Sequence, residues 1–190
     1  MSLKLFRSTG YSSLLSPGHS RATTHPGWVV VVVSLWAGFA CNVPLWRALA
    51  AVPMNLGLPH TVLLGAVVAS GCALALSLFG WHATLKPSAS LILLVAALAA
   101  VARWDSPPAL DAGLIDTHLA HGLLPSWASL LRWQGPALLA VLAIAPLVWL
   151  WSAPVKRLTG PQQLRSNLRG MAIAGAVFAA CAIGLYNGLG

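Results

Sequence analysis

The sequence has 190 residues, of which 58% are hydrophobic and 7% charged, with a mean hydropathy of +0.79. A water-soluble domain of that length cannot bury so much apolar surface, so the composition excludes one and demands lipid as solvent. Eleven Lys and Arg against three acidic residues give a formal charge of +8, but the basic residues lie between apolar runs, where they orient helices against anionic lipid. No basic helix or aromatic-lined groove is present to carry nucleic acid.

Residues 1–27 hold Lys4, Arg7, Arg21, many Ser and Thr and no acid, and offer nothing periodic to fold. They read as a flexible basic tail, followed by a membrane domain over 28–190. A Ser-rich, acid-free leader is also what a transit or signal segment offers, but the apolar run starts too late and runs too long for a cleaved signal. The first span, about Trp28 to Leu49, opens on Val29 to Val33. In water that run would signal a strand, whereas in lipid only a helix or a closed barrel satisfies the backbone, and a barrel strand would alternate. Asn42 and Pro44 interrupt it near its far end, as an interhelical contact and a terminal kink.

The second span, about Thr61 to Trp81, sets Gly65, Ala69, Ala73 and Ser77 four residues apart on one face. Small residues at that spacing let two helices approach closely, so this is a predicted packing face. Leu85-Lys86-Pro87 opens a third span to about Trp104, with proline where its missing N–H costs nothing. A fourth span starts at Gly135-Pro136 and reaches about Trp151, with Pro146 as a kink. Val155 to Arg169 is polar and basic, and a fifth span runs from about Gly170 to Tyr186, carrying a weaker small-residue stripe at Ala180, Gly184 and Gly188. Seven of the nine tryptophans fall at or beside these span ends, the level that indole prefers. Cys41, Cys72 and Cys181 lie in separate apolar runs without ligand spacing and read as small buried residues.

Five spans place Lys4, Arg7, Arg21, Lys86, Lys156, Arg157, Arg165 and Arg169 on one side, against Arg47, Arg103 and Arg132 on the other. The positive-inside rule makes the first side cytoplasmic, with the N-terminus, and points Gly190 outward.

All three acids, Asp105, Asp111 and Asp116, lie between Arg103 and Gln134. From Ala109 to Trp133, leucines recur at roughly helical spacing, which predicts an interfacial helix between the third and fourth spans. Asp116, His118 and His121 are spaced to share one turn, either as a solvated face or as a contact for a lipid head group. The two histidines lack the four-residue spacing and further ligands that a zinc site normally wants. His60 and His82, a span apart, cannot share a ligand. No nucleophile elbow, phosphate loop or carboxylate cluster appears, so the chain by itself is expected to be non-catalytic, with no cofactor.

The pieces together resemble the N-terminal membrane domain of the lipid A phosphoethanolamine transferases, the family of the transferable colistin-resistance enzymes. The resemblance covers about Trp28 to Gly190. It rests on Ala40-Cys41-Asn42, on Leu85-Lys86-Pro87 before an aliphatic helix, on the turn Gly113-Leu114-Ile115-Asp116-Thr117, and on a basic loop before a helix ending near Tyr186-Asn187. Relatives carry Asn and acidic residues where this sequence has Gly122 and Trp127 to Leu130.

The resemblance implies an all-α, five-span protein of the bacterial inner membrane. A periplasmic catalytic domain, in cis or in trans, would hold zinc and a threonine nucleophile and move phosphoethanolamine from phosphatidylethanolamine to lipid A. That domain is not within these 190 residues, so this chain is expected to be its anchor and lipid-donor platform. The alternatives are a stand-alone membrane interaction protein that associates through the Gly65 stripe, an inactive remnant, or a quinone or haem protein using its histidines.

Overall fold

A histidine turns the chain into the first helix. The computed structural model describes residues 23–50, 54–81, 83–102, 133–156 and 158–189, and α1 spans Pro26–Ala40. His25 stands at its N-cap with extended backbone, and His25 Nδ1 accepts from the Gly27 N–H at 3.1 Å. That pairs one donor which a helix start leaves open, while Pro26 has no N–H to leave open. Just before it, Thr24 donates to the Pro154 carbonyl at 2.8 Å and accepts from the Lys156 N–H at 3.0 Å, tying the chain entry to the segment that precedes the last helix.

The end of α1, Trp36–Ala40, is wound as a π-helix, with the Cys41 N–H reaching back to the Trp36 carbonyl at 2.9 Å. The chain bends at Cys41 and Asn42 and resumes as α2, Val43–Ala50. Pro44 therefore falls in a first turn rather than kinking one long helix, and the expected first span is two helices. Trp46 Nε1 donates back to the Phe39 carbonyl at 2.8 Å, with the two rings 6.4 Å apart, so the bend is held by an indole at the end of α1.

α3, Met54–Leu78, is 25 residues long, and α4 covers Leu85–Ala102. Along α4, Leu85, Ala89, Leu93, Ala97 and Val101 recur every fourth residue and are all buried, so one stripe faces the bundle and the rest faces outward. α5, Gln134–Ser152, contains a second π segment at Ala140–Ile144, directly before Pro146. α6 is a single helix of 30 residues, Gly160–Leu189. It starts ten residues earlier than its apolar run, because Gly160-Pro161 is itself a helix start and two amides then anchor the polar turns. Gln163 Nε2 donates to the Gly80 carbonyl and to Asn167 Oδ1.

Four helical stretches are long and apolar enough to cross a bilayer: Leu58–Leu78 in α3, all of α4, all of α5, and Gly160–Asn187 in α6; α1 is apolar but shorter. The chain is thus an all-α, multi-pass membrane protein, with only the isolated Thr24–Val155 bridge outside helix pattern among the described residues. α3 is central, packed lengthwise on α6 and also on α1 and α2, while α4 joins α1 to α5. One buried cluster, Val29, Val33, Leu76, Leu85, Ala89, Leu93 and Leu150, lies near the start of α1, and a second, Cys41, Ala97, Ala100, Leu142 and Ala143, lies near its end. Residues 1–22, the predicted interfacial segment with Asp116, His118 and His121, and His82 lie outside the described residues.

Candidate functional site

α1 and α6 both lean on α3 but scarcely touch each other, and the space between them is a groove of about 840 Å³. That volume falls in the range of small-molecule sites. Its floor is the small-residue face of α3: Ala66, Ala69, Ser70, Ala73 and Ser77. A leucine at any of these positions would intrude on it. The walls are Trp28, Val31 and Leu35 from α1 and Ile173 and Val177 from α6, all exposed, so the groove opens sideways toward the surrounding lipid.

The groove is apolar in the middle and polar at one end. His25, Asn167 and Arg169 line that end. With His25 Nδ1 occupied as an acceptor, the neutral ring carries its proton on Nε2 and presents a donor there. No described residue is acidic, so Arg169 has no carboxylate partner among the described residues. Deeper in, Ser34 is 3% exposed, and its hydroxyl has no hydrogen-bond partner. Serines in helices usually return that proton to a carbonyl one turn back, as Ser70 does to Ala66 at 2.7 Å and Ser90 to Lys86 at 2.8 Å. Ser34 does not, and it is the one such hydroxyl among the described residues that is closed off from solvent.

The same end of the bundle gathers most of the described cations. Lys86 Nζ donates to the Ala153 carbonyl at 3.0 Å and the Trp151 carbonyl at 3.3 Å, and it sits 5.7 Å from the centre of the Trp151 ring. A cation on the open carbonyls of a helix C-terminus is favoured by both the bonds and the helix dipole. Trp151 Nε1 donates in turn to Ser90 Oγ at 3.2 Å, so the start of α4 and the end of α5 are cross-linked. Lys156, Arg165 and Arg169 lie at this end as well, and Arg47 at the opposite one.

The predicted packing residues are spread over two interfaces. A Cβ on Gly38 would lie 2.6 Å from the Gly65 carbonyl oxygen and 2.7 Å from the Ala69 backbone nitrogen, so α1 and α3 approach almost backbone to backbone there. Gly65 lies under the Phe39 ring. Ala69 serves both this crossing and the groove, while Ala73 lines the groove alone. Gly184 in α6 faces Leu63 of α3. The stripe of small residues was visible in the sequence, but nothing in it separated close approach at Gly65 from open space at Ala73. That depends on α6 diverging from α1.

Asp116, His118 and His121 lie outside the described residues, so the structure places none of them relative to the groove. Among the described residues, no three His, Cys, Asp or Glu side chains gather where they could hold a metal ion. Comparison with family models, with curated proteins and with solved structures finds no match to this chain.

Proposed function

We propose that this chain is the membrane anchor and lipid-donor platform of a phosphoethanolamine transferase acting on lipid A. It would sit in the bacterial inner membrane with five spans, α1 and α2 together forming the first, and with the N-terminus cytoplasmic. A periplasmic catalytic domain, in cis or in trans, would supply the zinc and the nucleophile. The observation that carries the reading is the order of the quoted motifs along an all-α membrane bundle. Ala40-Cys41-Asn42 falls at the bend after α1, and Leu85-Lys86-Pro87 opens α4, with Lys86 tied to the end of α5. The turn around Asp116 falls, in sequence, between α4 and α5, and the reading puts it on the outer side. There a head group held by Asp116, His118 or His121 would face an outer catalytic domain.

The test is to join the chain to a phosphoethanolamine transferase catalytic domain stripped of its own membrane part, and to weigh lipid A by mass spectrometry. The chain alone yields no modified lipid A; the fusion does, and Asp116→Ala in the fusion lowers the yield. Product from the chain alone would sink the non-catalytic reading. A folded, membrane-inserted fusion without product would sink the platform reading.

A further inference from the structure

We propose that the groove between α1, α3 and α6 holds one anionic phospholipid from the leaflet at the basic end. Its phosphate would sit against Arg169 and His25, and one acyl chain would run along the α3 floor. The inference rests on the chain spanning a bilayer and is independent of the transferase reading, which rests on residues between α4 and α5 that the groove does not include.

Three observations converge on this occupant. The first is shape and depth. From Gly27 at the mouth to Phe39 at the closed end is twelve residues of α1, about 18 Å at 1.5 Å per residue, close to the roughly 15 Å half-thickness of a bilayer's hydrocarbon. A groove of that length, open sideways and walled by Val31, Leu35 and Ile173, matches a chain lying along the membrane normal.

The second is charge. The mouth presents a guanidinium and an imidazole N–H with no described carboxylate near them, and a phosphate diester is the lipid group that a guanidinium binds best. The third is the orphan hydroxyl. Ser34 lies about 10 Å along the helix from Gly27, below the mouth, where no water is available to satisfy it. A glycerophospholipid carries ester carbonyls one glycerol unit below its phosphate. With its phosphate drawn down by Arg169, it brings an acceptor to that depth.

The full chain, purified in detergent and stripped of lipid, would be mixed with phosphatidylglycerol or phosphatidylcholine at equal concentration, and adducts counted by native mass spectrometry. Wild type retains a single phosphatidylglycerol about tenfold better than phosphatidylcholine, because both share the phosphodiester but the trimethylammonium of choline brings a second cation to the Arg169 mouth. Arg169→Gln abolishes that preference, while Arg165→Gln, on the same helix but outside the groove, preserves it. Val31→Trp narrows the groove from an exposed wall and removes the adduct with either lipid. Ser34→Ala weakens both lipids alike and leaves the preference intact, since both have ester carbonyls. The proposal is overturned by equal retention of the two lipids in wild type, by Arg165→Gln acting like Arg169→Gln, or by undiminished binding in Val31→Trp or Ser34→Ala.

Discussion

At Gly38 a single hydrogen decides how closely two helices approach. The atoms that an added methyl would meet are the Gly65 carbonyl oxygen at 2.6 Å and the Ala69 nitrogen at 2.7 Å, and both belong to backbone that cannot rotate aside. Gly38→Ala should therefore cost about 1–3 kcal/mol, as overpacking of a close contact does. Gly160→Ala, where an added Cβ meets nothing within 4 Å, should stay within about 0.5 kcal/mol of wild type. Unfolding of both variants in mixed detergent micelles measures the difference, and equal midpoints would mean that the crossing relaxes freely. Gly38 went unremarked in the sequence, where it is one glycine inside an apolar run. The Gly65 stripe that meets it stood out, because repetition every four residues is visible on one helix. The partner on the other helix has no such pattern.

Between elements, the two π segments lock α1 to α5. Pro146 has no N–H, so the Leu142 carbonyl four residues earlier loses its usual α-helical donor. Trp36 Nε1, from the first residue of the α1 π segment, donates to that carbonyl at 3.1 Å. This accounts for a tryptophan that stands mid-span, away from the span ends where seven others fall: its N–H is committed to a proline-freed carbonyl.

Trp36→Phe should destabilise the protein by about 1–2 kcal/mol, the upper part of the range for hydrogen bonds inside membrane proteins. The cost should shrink in a Pro146→Ala background, where residue 146 regains an N–H for Leu142. A double-mutant cycle reads that coupling directly, and additivity of the two substitutions would separate the indole from the proline. The kink at Pro146 was legible because proline acts through its own backbone; its indole partner, over a hundred residues away, was not. Helix ends show the same limit. The Lys86 helix starts where Leu85-Lys86-Pro87 predicts, whereas α6 begins at Gly160 rather than near Gly170. Hydropathy marks where lipid begins, but the helix extends back to where Gln163, itself paired with Asn167, reaches the Gly80 carbonyl.

For the whole molecule, the composition already required lipid, and the helices Leu58–Leu78, α4, α5 and α6 are what that composition becomes. The groove was not foreseeable, since it comes from the divergence of two helices over a third. Charge predicts which end faces the cytoplasm. Lys86, Lys156, Arg165 and Arg169 stand at one end of the described bundle, and no described acid offsets them. Holding that end on the cytoplasmic side keeps four cations from crossing the bilayer during insertion, which is the physical content of the positive-inside rule.

A reporter that matures only outside the cytoplasm should therefore be active when fused after Gly190. It should be silent when inserted at Thr159, in the exposed connection before α6, a site that leaves the Gln163 anchor intact. Changing Lys156, Arg165 and Arg169 together to Gln should lower activity at the Gly190 fusion and raise it at Thr159, because the charge difference that orients α6 would be largely gone. Activity at Thr159 in the unmodified chain would place the basic end outside. The predicted donor side, the connection between α4 and α5, would then face the cytoplasm, where no periplasmic catalytic domain could reach it.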